Sequence, residues 1–144
     1  MNPKLVFDTN ILISGYLWNG RPRQAIRVVK TKGFTLLYCK ESIDELIRVL
    51  SIKFGLDSEE IFRIVVDLQT IGKNIRVISK DQPITDDNTD NLFINLAIDG
   101  DARFIVSGDS HLLKLKKYKK IEMMTVYEFL QMFNIPPYIK TIER

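Results

Sequence analysis

Cysteine and histidine are nearly missing from this chain of 144 residues, since each occurs once. The single thiol, Cys39, cannot form an internal disulfide and leaves no cysteine cluster for a zinc site, so we expect a reducing compartment, the cytoplasm. The single imidazole, His111, excludes mechanisms that need a pair of histidines. Any chemistry is therefore expected to use carboxylates, hydroxyls or the backbone.

Long apolar runs are missing as well. No stretch approaches the ~20 apolar residues that a bilayer-spanning helix needs. Residues 1–4 lead directly into a short apolar run, without the basic and longer apolar regions of a signal peptide. We therefore expect no membrane partner. The chain also lacks a strong excess of either sign of charge. Its 21 basic and 18 acidic side chains give a net charge of +3, which is compatible with an anionic partner but does not require one.

The chain has the composition of an ordinary folded domain, with 45% hydrophobic and 27% charged residues. Its length predicts one domain over residues 1–144. Apolar runs typical of strands alternate with segments of helical periodicity, which predicts an α/β fold with a mainly parallel central sheet. The predicted strands are 4–7, 34–38, 75–78, 104–106 and 121–124. The predicted helices are 11–18, 24–32, a segment around 43–50, 59–71, about 91–98, a short helix that contains 112–113, and a last helix that is capped by Thr125 and ends at Phe133. A polar loop is predicted at 79–90.

Carboxylates stand at the ends of the predicted strands. In a parallel sheet the loops after the carboxyl ends of the strands converge, and ligands bind there. Asp8 directly follows strand 4–7, Asp109 follows strand 104–106, and Asp90 opens the helix before the latter strand. Converging carboxylates repel one another unless a cation is present. A hard divalent ion with oxygen ligands, Mg²⁺ or Mn²⁺, is the expected compensation.

Four segments in order along the chain resemble the motifs of the PIN-domain family, in particular of the toxin components of toxin–antitoxin systems. They are VFDTNILIS at 6–14, SIDELIRVL at 42–50, DDNTDNLFINLA at 86–97 and IVSGDSHLL at 105–113. The resemblance implies a three-layer α/β/α sandwich, PIN-like and Rossmann-like, with the motifs within 4–126 and a C-terminal extension at 134–144. It adds Glu45 as the acid of the second motif, so that Asp8, Glu45, Asp90 and Asp109 form the metal-binding and catalytic set.

The same resemblance implies an endoribonuclease that hydrolyses phosphodiester bonds of single-stranded RNA, restrained by a small antitoxin protein and able to form a homodimer. Thr9, Asn10 and Ser107 are interpreted as groups that orient Asp8 and the waters of the ion. Two positions depart from the family pattern. Ser107 replaces the usual threonine and keeps its hydroxyl. His111 stands where relatives often have a further aspartate, so the resemblance does not extend to a second metal site.

Simpler interpretations stand beside these. Asp8 could be no more than the N-cap of the following helix, Glu45 could be a solvated carboxylate, and Asp109 could be a turn residue. Asp86 and Asp87 compete with Asp90, and His111 is interpreted as a partly exposed helix residue. The basic residues suggested as substrate contacts could equally serve solubility; they are Arg21, Arg23, Lys114, Lys116 and Lys117.

Other functions fit the sequence less well. A PIN-like module that binds RNA or protein without catalysis is the main alternative, and the complete set of four acids argues against it. A phosphatase would need an Asp-x-Asp pair after the first strand, but the chain has Asn10 there. A dinucleotide-binding fold would need a Gly-x-Gly-x-x-Gly motif at the same place.

Overall fold

Six short strands form one sheet in the computed structural model, which describes residues 2–85 and 88–133. They are β1 (Lys4–Phe7), β2 (Thr35–Tyr38), β3 (Gly72–Asn74), β4 (Phe104–Val106), β5 (Lys117–Tyr118) and β6 (Ile121–Met124). Their order across the sheet is β3-β2-β1-β4-β6-β5. Every neighbouring pair is parallel except β5 and β6, which are antiparallel. The expected mainly parallel sheet is confirmed.

Seven helices accompany these strands within the described part of the chain, six between strands and one after the last strand. They are α1 (Thr9–Leu17), α2 (Arg21–Lys32), α3 (Lys40–Ile52), α4 (Ser58–Ile71), α5 (Asn88–Asp99), α6 (Ser110–Leu115) and α7 (Val126–Met132). Local sequence explains several boundaries. Asp57 and Glu60 form a capping box at the start of α4. Gly33 ends α2 in the left-handed conformation, with φ at 67°.

The two faces of the sheet are covered by different helices, because side chains alternate along each strand. Leu5 and Phe7 of β1 belong to a core that includes side chains from α1 to α4 and α7. Val6, between them, belongs to a second core with α5 and α6. The three-layer α/β/α sandwich is thereby confirmed.

The strand order of the sheet changes direction at β1. From β1 the next strand in sequence, β2, lies on one side, whereas β4 lies on the other. The crevice between the carboxyl ends of β1 and β4 is therefore a switch point, where ligands bind in open α/β sheets. Phe7 pairs with Val106 at this end, so the chain segments that follow both strands leave the sheet side by side.

One predicted strand is wrong and one strand was missed. Residues 75–78 are not a strand, because β3 is the earlier, polar segment Gly72–Asn74. Asn74 pairs with Tyr38, the last residue of β2, so beyond it only a single hydrogen bond from Ile75 N–H to the Tyr38 carbonyl (2.8 Å) continues the contact. The missed strand β5 lies in the basic stretch, where periodicity gives no apolar signal.

Several helices begin earlier than predicted. α1 and α2 start two and three residues before the apolar pattern does, and α5 starts at Asn88, so the predicted loop 79–90 is too long. First turns of helices are often polar, which hides them from apolar periodicity. The expectations for Asp86, Asp87 and the extension 134–144 lie outside the described residues. Across residues 2–85 and 88–133, no helix is long and apolar enough to cross a membrane.

Gly72 has no room for a side chain where α4 meets β3. A Cβ atom there would lie 2.5 Å from the Leu36 carbonyl oxygen and 2.9 Å from that of Leu68. Backbone atoms cannot rotate away, so we expect Gly72→Ala to lower the free energy of unfolding by about 1–3 kcal/mol in urea denaturation. Gly108→Ala, which meets open space, is the control. An unchanged midpoint for Gly72→Ala would contradict the close packing.

Candidate metal centre

Asp8 joins β1 to α1 and is buried, at 5% exposure. Its N–H donates to the Val106 carbonyl (3.1 Å), which extends the parallel pairing with β4 by one residue. Its Oδ1 accepts the Ile11 N–H at 2.9 Å and so caps α1. The capping interpretation is therefore confirmed for this carboxylate. Because the cap stands at the switch point, the predicted role of Asp8 in the site is compatible with it and stays a prediction.

Ser107 links two of the predicted acids. It is fully buried after β4, its hydroxyl donates to Asp8 Oδ2, and its Oγ accepts the Asp109 N–H at 2.9 Å. One hydroxyl thus fixes the orientation of the Asp8 carboxylate and the backbone that carries Asp109. The orienting role predicted for Ser107 toward Asp8 matches this geometry, while the predicted roles of Thr9 and Asn10 remain predictions.

Asp109 and Asp90 stand at the starts of two other helices. Asp109 caps α6 by accepting the His111 N–H at 2.7 Å. Asp90 lies in the first turn of α5 and is buried, at 6% exposure. It is the third residue of that helix rather than its first, because α5 begins at Asn88.

Glu45 reaches the same place from α3, one turn beyond Glu41. Both side chains line the pocket, as the spacing of four residues along a helix requires. Glu45 is half-exposed and bound by Arg48, whose Nη2 lies 2.9 Å from each carboxylate oxygen. Sequence reasoning missed Glu41, although its place four residues before Glu45 was a usable signal.

These residues surround one pocket of about 380 Å³ at the carboxyl edge of the sheet. Apolar side chains of α3 and α5 form part of its wall, and the start of α1 forms another. The lining residues are Asp8, Thr9, Asn10, Glu41, Glu45, Val49, Asp90, Leu92, Phe93 and Asp109. All four predicted acids therefore meet in a single cleft.

Helix N-termini meet at the same cleft. Asp8 and Asp109 are the N-caps of α1 and α6, and Glu41 and Asp90 lie in the first turns of α3 and α5. The positive end of a helix stabilises a nearby carboxylate by about 0.3–1 kcal/mol at exposed positions. This partly offsets the repulsion among the acids. Burial acts in the opposite direction and raises the pKa of Asp8 above 3.8, with a further rise from the Asp109 charge, against hydrogen bonds from Ser107 and the backbone that lower it.

The donor set fits a hard divalent cation, because it consists mainly of carboxylate oxygens gathered in a partly buried cleft. The tightest group comprises Asp90, Asp109 and His111, whose potential ligand atoms all lie within 4.8 Å of one another. Asp8 and Glu45 line the pocket outside this group. His111 was expected to be a partly exposed helix residue, and 35% of its side chain is exposed, but its Nδ1 faces the two aspartates.

The predicted substrate-binding cations do not line the pocket that the structure describes. Arg23 donates to the carbonyls of Gly15 (3.2 Å) and Tyr16 (3.1 Å) at the end of α1. Arg21 stacks on Tyr127. Lys114, Lys116 and Lys117 lie in α6, at its end and in β5, and all three are exposed. None of these five lines the pocket in the part of the chain that the structure describes, so their contact with substrate remains a prediction.

We expect the metal-free chain to lose stability as the pH rises through the pKa of folded Asp8. Because this pKa is raised, the folded chain keeps a proton that the unfolded chain has already released, and stability falls across that window. Asp8→Asn has no such fall. In EDTA and at neutral pH, urea denaturation should find it more stable than the original chain, by about 0.5–2 kcal/mol. The exposed Asp44→Asn is the control, and a parallel pH profile for Asp8→Asn would contradict the buried charge.

Arg48 competes with any cation for Glu45. The ion pair is exposed, so it contributes only about 0–1 kcal/mol, and a divalent ion can displace it. Arg48→Ala should tighten the binding of Mn²⁺ or Mg²⁺ by about two- to fivefold in isothermal titration. Arg63→Ala, which breaks a similar exposed pair with Glu59, should change nothing. Unchanged or weaker metal binding in Arg48→Ala would count against Glu45 as a metal ligand.

Comparison with known proteins agrees with this geometry. No curated protein matches the chain significantly. A family model described as the PIN domain matches residues 4–111, from the first strand to the histidine after Asp109, which is three quarters of the chain. PIN domains are generally metal-dependent nucleases. The match, the α/β/α sandwich and the acids at its switch point lead to one conclusion: the chain belongs to the PIN domain family.

Proposed function

We propose that the chain is an endoribonuclease that hydrolyses phosphodiester bonds of single-stranded RNA with the help of Mg²⁺ or Mn²⁺. The observation that carries the proposal is the meeting of Asp8, Glu45, Asp90 and Asp109, from four separate segments, in one cleft at the switch point of the sheet. Such a set is costly for a folded chain, because like charges destabilise one another. A site that only binds RNA has no use for it, since carboxylates repel phosphate.

Asp90 and Asp109 would hold the ion, together with Asp8 and Glu45, which line the same pocket. When bound, the ion supplies charge neutralisation for the phosphodiester oxygens and lowers the pKa of water. The chain itself positions these groups. Ser107 holds Asp8 by a hydrogen bond, and the N-cap bond to His111 N–H holds Asp109. The N-terminus of α1, at Thr9 and Asn10, lines the pocket and would place the positive end of a helix dipole near a phosphate bound there.

Cleavage of a labelled single-stranded RNA tests the proposal. We expect cuts with Mn²⁺ or Mg²⁺ and none with EDTA, and a loss of about two orders of magnitude in kcat/KM for Glu45→Gln. Asp44→Asn is the matched control, because this neighbour on α3 is exposed and paired with Lys40. The same sequence as DNA and as duplex RNA reports the substrate class.

Cuts that survive EDTA, or that Glu45→Gln leaves unchanged, would overturn the mechanism. No cleavage with any ion, together with RNA binding in fluorescence anisotropy, would favour the alternative of a catalytically silent module. The bidentate Arg48–Glu45 pair is the observation that supports this alternative, since it shows one acid already neutralised within the chain.

We also propose that this nuclease is the toxin of a toxin–antitoxin pair, working in the cytoplasm as a homodimer and restrained by a small antitoxin protein. The support is the resemblance of the four motifs to the toxin branch of the family. Induced expression should stop cell growth, and Glu45→Gln should not. Light scattering of the purified chain reports the homodimer directly.

A further inference from the structure

One nitrogen atom lies among the carboxylates of the cleft. Nδ1 of His111 is 3.6 Å from Asp109 Oδ1 and 3.8 Å from Asp90 Oδ2. This atom is shielded from solvent and has no hydrogen-bond partner in residues 2–85 and 88–133, although the outer part of the ring is exposed. A buried polar atom without a hydrogen-bond partner destabilises the folded chain, and the chain keeps this one beside two acids.

We propose that His111 Nδ1 is a metal ligand together with Asp90 and Asp109, and that this nitrogen makes the site select Mn²⁺ over Mg²⁺. The inference rests on the proposed function, since it concerns the ion of the same cleft, and it adds a ligand and a choice of ion that the four acids alone do not give.

The separations suit two ligands of one ion better than a hydrogen bond. Hydrogen bonds to nitrogen span about 2.7–3.2 Å, and both distances from Nδ1 are longer. Two ligands on opposite sides of an ion with bonds of about 2.1 Å lie about 4.2 Å apart, and both distances are shorter than that. The position of His111 in the first turn of α6 holds the ring next to Asp109, because the Asp109 side chain accepts the His111 N–H.

The chemistry of the donors decides between the two ions. Mg²⁺ takes oxygen ligands and keeps several waters, so a nitrogen donor contributes little to it. First-row transition ions accept imidazole, and Mn²⁺ also suits carboxylates and water. A site with two carboxylates and one imidazole therefore favours Mn²⁺ over Mg²⁺. An aspartate at the histidine position would give no preference between the two ions, because both accept carboxylate oxygens.

The test uses the full chain without a polyhistidine tag, so that His111 is its only histidine. Mn²⁺ alone is the probe. Electron spin-echo envelope modulation of the bound Mn²⁺ should show coupling to an imidazole nitrogen, and His111→Asp should abolish it. Isothermal titration should give a weaker Mn²⁺ Kd in His111→Asp, by about tenfold, with Mg²⁺ binding unchanged or tighter. Ser110→Ala, an exposed neighbour on α6, is the control and should match the original chain.

The outcomes separate the two proposals. Bound Mn²⁺ without nitrogen coupling, at a site that Asp109→Asn still weakens, overturns the histidine ligand and leaves the nuclease proposal standing. Nitrogen coupling in a chain that cuts no RNA supports the ligand and overturns the nuclease. Absence of any Mn²⁺ binding overturns the histidine ligand, and absence of Mg²⁺ binding as well overturns both. The spectrum of the original chain needs no variant, so a variant that fails to fold does not remove the test.

Discussion

The hydrogen bond from the Ser107 hydroxyl to the Asp8 carboxylate is the interaction on which the site depends. It spans 99 positions of sequence and forms only because β1 and β4 pair in parallel, with Phe7 opposite Val106. The same oxygen accepts the Asp109 N–H. One buried hydroxyl therefore sets the relative position of two acids, and any slip in the register of these strands would separate them.

Electrostatics explains why the cleft can hold so many carboxylates. Four of them stand at or near helix N-termini, where the helix dipole favours negative charge. This compensation is partial, because burial still raises the pKa of Asp8. A divalent cation would neutralise the remaining negative charge of the cleft. Without a cation, the exposed Arg48 partly neutralises Glu45 through an ion pair. Gathering buried carboxylates without a cation lowers the stability of the folded chain, as is common where residues are arranged for binding rather than for stability.

The positively charged side chains differ in the groups that they contact. Arg23 supports the end of α1 through backbone carbonyls, and Lys119 pairs with Asp81, so part of the basic excess is used within the fold. Arg48 contacts an acid of the cleft, Glu45. The net charge of +3 is thus a poor guide to where an anionic substrate would lie.

The sequence by itself determined the α/β class, most of the elements, and the acids at the ends of β1 and β4, because apolar runs, helical periodicity and caps are local signals. It did not determine β3, whose polar residues become a strand only by pairing with β2, nor the start of α5, whose first turn is polar. Tertiary structure alone decided that α3 lies beside Asp8 and Asp109, so that Glu41 and Glu45 line the same cleft, and that His111 Nδ1 faces Asp90 as well as Asp109. Such contacts arise between separate segments, and their distances follow from strand order and register, which no local pattern in the chain encodes.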